Sequence, residues 1–438
     1  MNHAISCRSA RALSYLASTC LALFVLFSAA LAQGPTPLLS EGESAKWWFV
    51  FKFNATSFPG CAGDARPVCL FGGKVQKYSR FSQQFVYASD KSPNLQPKDS
   101  GCLGDSVDDP VGATFDQVFN GDFFYVIWND QFYLDPKLDC ARGNSCSDPW
   151  GHSKGIVAWD KNGDGFVMQV TTPNWPGYGS PEPARERGNT LGCLTQIKAS
   201  KVVPQNNVMY SQHFFALKLP KDDLQAVLKA LKHAAVATDP DDVRIVKKGG
   251  PPEIVELVEA LGETSGERKV MKAQLSTGVT LISKPASLHV PPWQMVSAML
   301  GGPALRVATW WTRNRIPTTM PSPHFECWDE AVLGSTKKIG LVEIAKSGQW
   351  NKTVLGLKGG ENHAKIGVGK SDETPLSIFG DMNQEGALDG ECATSQNKRG
   401  GLFFVVENQT LAKNIRLLLR GATAGTTLDD DADEEEEN

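Results

Sequence analysis

Five short runs of the chain are dense in aromatic and β-branched residues: WWFVFKF (47–53), FFYVIW (123–128), GIVAW (155–159), FVMQV (166–170) and LFFVV (402–406). Such runs suit a pleated, largely buried surface and predict β-strands. A helical period takes over elsewhere. Leu224, Val227, Leu228 and Leu231 share one helical face behind Pro220, with Asp222 and Asp223 in the first turn. EIVELVEAL (253–261) keeps that spacing until Gly262, and TLAKNIRLLLR (410–420) keeps it until Gly421. These three segments predict helices, and strands and helices together make an α/β chain. The stretch from Thr238 to Pro252 holds Asp-Pro, Asp-Asp, Lys-Lys and Gly-Gly-Pro-Pro near the middle of the chain. That is linker composition, so residues 239–252 are expected to join a first half at 33–238 to a second at 253–424.

The two ends read differently. Arg8 and Arg11 precede an apolar stretch from Leu16 that closes on Ala30-Leu31-Ala32, so residues 1–32 are expected to be a cleaved secretory signal. That stretch is short for a membrane span, and no later one approaches the roughly 18 apolar residues a span needs. At the other end, eight of the last ten residues are acidic, and residues 425–438 are expected to be a solvated, disordered tail. The charge balance of 44 Lys plus Arg against 48 Asp plus Glu is therefore misleading. Without tail and signal the body carries 42 bases against 40 acids, close to neutral. With 438 residues, 41% of them hydrophobic, the chain can bury a large core, which excludes a disordered protein or a small disulfide scaffold.

Ten cysteines become eight once Cys7 and Cys20 leave: Cys61, Cys69, Cys102, Cys140, Cys146, Cys193, Cys327 and Cys392. An even number in an exported chain favours disulfides, and the lack of any CxxC pair argues against a zinc ribbon. Asn-x-Thr triplets at Asn54, Asn351 and Asn408 fit a glycoprotein of the secretory pathway, either secreted or held in a lysosome or vacuole.

The candidate chemistry is a repeat. His152-Ser153-Lys154 lies in WGHSKGIVAWD, just ahead of a predicted strand, and His363-Ala364-Lys365 lies in ENHAKIGVG in the other half. On an extended segment residues i and i+2 point to one side, so each triplet aims an imidazole and an ammonium at a common point, as a phosphate requires. Asn174 follows the first set, in TTPNWP, and Asn383 follows the second, in FGDMN. Brought together, the sets would hold phosphate oxygens with Lys154, Lys365, Asn174 and Asn383. His152 and His363 would flank phosphorus, one attacking and the other protonating the leaving oxygen. No carboxylate cluster or His-x-x-x-His offers itself to a metal.

At these residues the chain resembles the deoxyribonuclease II family, a branch of the phospholipase D superfamily in which two His-x-Lys motifs from two halves make one site. The likeness runs through WWFVFKF, WNDQ (128–131), GHSKG (151–155), PNWP (173–176), GDMN (380–383) and KRGG (398–401), in the family's order and up to about residue 420. It implies a pseudo-dimer of two phospholipase D-like α/β/α halves, each with a mixed β-sheet flanked by helices. It also implies an endonuclease that takes DNA at acid pH, needs no metal or cofactor, passes through a phosphohistidine and leaves 3′-phosphate ends. Two motifs in one chain need no oligomer to complete the site. There are departures: where the superfamily carries an acid five places after the motif lysine, this chain has Trp159 and Lys370, and Ala364 and Ile366 replace the usual serine and tryptophan. A superfamily phosphodiesterase for another substrate such as a phospholipid, and an inactive secreted nucleic-acid-binding glycoprotein, are the alternative readings.

Weaker signals have plainer readings. Asp160-Lys161-Asn162-Gly163-Asp164-Gly165 imitates a calcium loop but lacks the closing glutamate, and reads as a hairpin turn. Trp310, Trp311, Arg313 and Arg315 could line a DNA groove, although paired tryptophans after Val307 and Ala308 more often belong to a core. His213 and His324 read as structural, and His233 and His289 carry no motif.

Overall fold

The computed structural model describes residues 34–60, 82–98, 103–104, 106–131, 146–173, 195–198, 201–204, 209–264 and 266–427. The signal segment, Asn174, Cys61, Cys69, Cys102, Cys140, Cys193 and the acidic tail beyond Thr427 lie outside the described residues.

The apolar runs form two sheets. The first holds β1 (Trp47–Lys52), β2 (Phe85–Ser89), β3 (Gln96–Pro97), β4 (Phe124–Asn129), β5 (Lys154–Trp159), β6 (Gly165–Val170), β7 (Gln212–Leu219) and β8 (Val246–Lys247), in the spatial order β8-β4-β5-β6-β7-β1-β2-β3. The second holds β9 (Met271–Gln274), β10 (Thr280–Lys284), β11 (Leu305–Ala308), β12 (Val342–Ile344), β13 (Ile366–Gly369), β14 (Leu376–Gly380) and β15 (Gly401–Glu407), ordered β9-β10-β15-β14-β13-β11-β12. A shared pattern lies inside both. The run β4-β5-β6-β7-β1 and the run β11-β13-β14-β15-β10 have the same chain order and the same antiparallel neighbours.

Among the described residues, five helices of eight residues or more attend the sheets: α1 (Pro110–Phe119), α2 (Lys221–His233), α3 (Pro252–Glu259), α4 (Pro292–Met299) and α5 (Gln409–Leu418). They keep the duplication, since α1 and α4 lead into β4 and β11 while α2 and α5 follow β7 and β15. Asp109 starts α1 by accepting the Val111 and Gly112 N–H groups at 3.0 and 2.8 Å, and Asn408 starts α5 by accepting that of Leu411 at 2.9 Å. Both satisfy donors a helix start leaves open.

One expectation changes. A mixed sheet is expected in each half, yet every pairing in the first sheet is antiparallel, and only β11 with β12 runs parallel in the second. For β5 and β6 the cause is connection length. The β5–β6 link is a tight turn in which the Asp160 Oδ1 accepts the Asn162 and Asp164 N–H groups, and short links permit only antiparallel neighbours. That also accounts for the calcium-like motif, whose leading carboxylate closes the turn. Within the 239–252 stretch, Val246–Lys247 adds β8 to the edge of the first sheet against β4. Val246 and Lys247 therefore pack on the first sheet.

The two sheets meet through an aromatic core. Phe379 of β14 stacks on Phe49 of β1 at 4.5 Å and on Phe215 of β7 at 4.7 Å, and all three are fully buried. Burying each ring contributes about 1.5–3 kcal/mol and each stacked pair a further 0.5–1.5 or so, which fixes the relative placement of the sheets. Among the described residues no helix is long and apolar enough to cross a membrane.

Candidate active site

His152 lies two residues ahead of β5 and Lys154 is its first residue. Asn129, the last residue of β4, pairs with Lys154, so the next residue, Asp130, falls beside the motif. Its carboxylate is fully buried and takes both motif side chains: Oδ2 lies 2.8 Å from His152 Nδ1, and Oδ1 accepts from Lys154 Nζ at 2.6 Å. Here the i, i+2 geometry expected of the triplet is met, with both groups converging on one anion. Arg399 enters from the other half, donating from Nη2 to Asp130 Oδ2 at 3.0 Å and from Nε to the Trp150 carbonyl at 3.0 Å. Its Nη1 is 3.2 Å from His152 Nδ1. Nδ1 cannot both donate to Asp130 and accept from Arg399. The shorter contact and the buried negative charge favour Nδ1–H toward Asp130, which leaves Nε2 as the lone-pair nitrogen, and that atom is buried without a protein partner.

The loops beneath need glycine. The His152 N–H donates to the Gly400 carbonyl at 2.8 Å, and a Cβ at Gly400 or at Gly151 would fall 2.1 or 2.5 Å from the Ala234 carbonyl oxygen. A side chain at either position would force the Arg399 loop and the His152 loop apart.

The second motif is built across the halves as well. The His363 N–H donates to the Ser211 carbonyl at 2.7 Å, and Nδ1 sits 3.2 Å from the carbonyl of Thr171. The Lys365 N–H donates to His213 Nδ1 at 3.1 Å, while its Nζ donates to the His363 carbonyl at 2.7 Å. His213 is thus structural, as expected, yet supports a motif residue. Ala308 pairs with Ile366, so one step further Thr309 stands opposite Lys365 as Asn129 stands opposite Lys154. Trp310 therefore holds the chain position that Asp130 holds in the first half. Its ring lies 4.6 Å from that of His363, with Tyr210 stacked on the same imidazole at 5.9 Å. Trp311, beside it, is core, with Nε1 donating to the Ile316 carbonyl at 3.0 Å, so of the two tryptophans only Trp310 remains at the site.

Asn383 is also buried here. Its Nδ2 donates to Glu385 Oε2 at 3.0 Å, and its Oδ1 has no protein partner. Glu385 ties Asn383 to the Trp310 loop by accepting the Thr312 N–H at 2.8 Å. Lys284, at the end of β10, holds the carbonyls of Asn397 and Arg399 at 2.7 and 2.9 Å and so braces the loop that delivers Arg399. Asp130, Arg399, Glu385 and Lys284 were given no role by the sequence reading. The available signals were WNDQ, which holds Asp130 at the end of the strand before the motif strand, and KRGG, which holds Arg399.

Electrostatics join the two sets. Burial and then Lys154 bring the His152 pKa down to about 3, against the upward pull of Asp130. Burial, Lys365 and Lys154 hold His363 well below its ordinary value, and His152 adds to the effect. Burial and Lys154 lower Lys365 to about 7. Burial would raise Asp130, but Lys154, His152 and Arg399 outweigh it and keep the carboxylate ionised well below its usual range. Charges on the first motif therefore act on the groups of the second. Among the described residues, no group of three or more His, Cys, Asp or Glu side chains is placed to hold a metal ion.

Asp381, next to the site, gives a stability prediction. Burial pushes its pKa up to about 7 despite a hydrogen bond from the Leu402 N–H and the nearby Lys154. A raised carboxyl makes the folded state bind more protons than the unfolded one between pH 3.8 and about 7, so stability is lost as pH rises through that window. Asp381→Asn removes the ionisation. Its melting temperature relative to wild type should therefore increase by a few °C between pH 5 and pH 8, a differential of about 1 kcal/mol or more. A difference that does not change with pH would show that Asp381 is not titrating in that range.

Features of an exported chain are mixed. Cys327 and Cys392 form a disulfide, and Cys146 is disulfide-bonded too. Asn54 is 1% exposed, with its amide bonded to the Gly356 carbonyl and the Ser57 N–H, which leaves no room for a glycan. Asn351 is exposed in a tight turn, and Asn408, at the start of α5, is partly exposed.

One solved structure, a yeast tyrosyl-DNA phosphodiesterase mutant, is 9% identical and covers 68% of this chain and 87% of its own, at a TM-score of 0.29, too slight a likeness to bear on the fold. The cell-death-related nuclease 7 of Caenorhabditis elegans is 23% identical over 388 residues, which is 85% of this chain and 83% of that protein. The sequence model described as Deoxyribonuclease II matches residues 37–423. That span takes in both His-x-Lys sets, the Asp130–Arg399 contact between them and both sheets, and the chain belongs to the deoxyribonuclease II family.

Proposed function

We propose that the two halves are phospholipase D-like units of a pseudo-dimer and that their paired motifs cleave DNA without a metal, as an acid endonuclease of the secretory pathway. Membership of the deoxyribonuclease II family makes the chain a DNA-cleaving hydrolase. The observation that carries the finer reading is the shared charge field: Lys154 acts on His363 and Lys365, and Arg399 of the second half reaches Asp130 and His152 of the first.

In the first step the Nε2 of one histidine bonds to phosphorus as the P–O5′ bond breaks. The other imidazole gives its proton to the leaving 5′ oxygen. Water, deprotonated by that now neutral imidazole, then attacks phosphorus and breaks the P–N bond, leaving a 3′-phosphate and regenerating the histidine. Lys154 and Lys365, with the amides of Asn174 and Asn383, neutralise the charge on the non-bridging oxygens. The lysines supply the positive charge that a divalent cation supplies in other phosphodiesterases.

The mechanism needs one imidazole neutral and one protonated. Both are held below their ordinary range, so the protonated acid becomes populated only as pH falls, while a bound phosphate raises both. The rate should rise from pH 7 downward and fall again once the attacking imidazole is protonated, giving a bell with its maximum at about pH 4.5 to 6. Supercoiled plasmid incubated with the purified protein in EDTA at about pH 5 should be nicked, leaving ends that a 3′-phosphatase must treat before polymerase extension. Loss of nicking in EDTA with recovery on adding magnesium would reject the metal-free reading, and a rate still climbing through pH 8 would reject the histidine pair.

A further inference from the structure

We propose that Trp310, with Arg313 beside it, forms a subsite for the nucleobase next to the scissile phosphate on the His363 side. The proposal rests on the nuclease reading and adds to it a contact with the base.

Four observations converge on this tryptophan. It takes the register position of Asp130, but puts an indole rather than a carboxylate against its histidine, 4.6 Å from ring centre to ring centre. Packing alone would bury such a ring, as it does Trp311, which is 3% exposed, but Trp310 is only half-buried while His363 beneath it is 6% exposed. The indole thus has free surface at the mouth of the site. Its loop is rigid before anything binds. Trp311 anchors it through Ile316, Arg315 lies 5.1 Å over the Trp311 ring, Glu385 accepts the Thr312 N–H, and Thr309 Oγ1 accepts the Gln384 N–H at 3.0 Å. Finally, Arg313 is exposed three residues on in the same loop, where its charge can meet a neighbouring phosphate.

An aromatic face beside a cation, fixed in advance next to a phosphate site, is the combination that holds single-stranded nucleic acid, because every base has a π-face to stack. The bases on either side of a phosphate joined to His363 or protonated by it lie within a nucleotide's length of that imidazole. Trp310 is therefore in reach of one of them. In a duplex that base is already stacked on its neighbours, so the subsite favours DNA that is single-stranded, or locally unstacked, at the cut. It discriminates little between bases.

The test is a double-mutant cycle on binding, in a His152→Ala background so that nothing is cleaved. One partner is Trp310→Ala. The other is a short single-stranded oligodeoxynucleotide with an abasic residue on either side of its central phosphate. Anisotropy at pH 5 should show Trp310→Ala weakening the ordinary oligonucleotide about tenfold and at least one abasic oligonucleotide no more than about twofold. Trp310→Phe, which keeps a ring and the packing around His363, should recover most of the loss. Equal losses on ordinary and abasic oligonucleotides, or no recovery with phenylalanine, would overturn the subsite and leave the nuclease reading standing. If the protein with its own His152 neither binds nor cuts any of them, both readings fall.

Discussion

His152→Ala and His363→Ala are each expected to lower DNA nicking by roughly 10³-fold or more, to the background of the assay. Each imidazole has a step that no neighbour can take over. One forms the covalent bond to phosphorus, and without the other the 5′ oxygen must leave as an unprotonated alkoxide. Both variants should fold, because alanine keeps the backbone bonds of the His152 N–H to Gly400 and of the His363 N–H to Ser211, and Asp130 without His152 is still paired with Lys154 and Arg399. Circular dichroism and melting temperature would check that. The double variant should be scarcely worse than either single one, since residues that act as a unit are not additive. Lys154→Ala and Lys365→Ala should cost less, about 100-fold, because each removes one part of the charge stabilisation. Activity within tenfold of wild type in either histidine variant would end the two-histidine mechanism.

How much of this was legible before the structure depends on whether a signal was local. The motif triplets were legible because i and i+2 on an extended segment share a side whatever the rest of the fold does. The five aromatic runs were legible because aromatic and β-branched residues suit a half-buried sheet. Strands β10, β11 and β13 were not. IGVG of β13 carries no strand signal because two of its four residues are glycine, yet at Gly367 a Cβ would lie 2.5 Å from the Trp293 ring, so close packing demands that glycine. Helix α4, PWQMVSAM, is buried over nearly its whole surface and has no polar face to set a period. Asp130 and Arg399 meet His152 from 22 and 247 positions away, and no spacing rule could have paired them. WNDQ and KRGG stood out only through the family likeness, with no role attached. The missing acid five places after each lysine also becomes intelligible. In the first half Asp130 approaches from the neighbouring strand and holds the motif instead, and Trp159 is free to donate its Nε1–H to the Gly249 carbonyl.

Asp130→Asn should be the most damaging change outside the motifs, lowering kcat/KM on the order of 10³-fold. The carboxylate has two tasks. It accepts Nδ1–H and so keeps the His152 lone pair on Nε2, and its charge offsets Lys154 and Arg399 in a fully buried position. An asparagine must turn either its amide nitrogen or its oxygen toward His152. With the nitrogen toward His152 the imidazole becomes an acceptor at Nδ1, and the proton moves to Nε2, where no lone pair is left to attack. With the oxygen toward His152 the nitrogen faces the Lys154 ammonium, and two donors oppose each other at a distance that was 2.6 Å. Either way one negative charge leaves a pair of buried cations, and such a loss destabilises by about 3–5 kcal/mol. Stability alone would lower the amount of active protein but leave its pH profile in place. The carboxylate also raises the pKa of His152 and of Lys154, so without it both fall further and the acid limb of the profile should move to lower pH. Rates measured per folded molecule across pH 3 to 8 separate the two effects. Activity within fivefold of wild type on an unmoved profile would show that His152 does not depend on Asp130 for its tautomer or its charge.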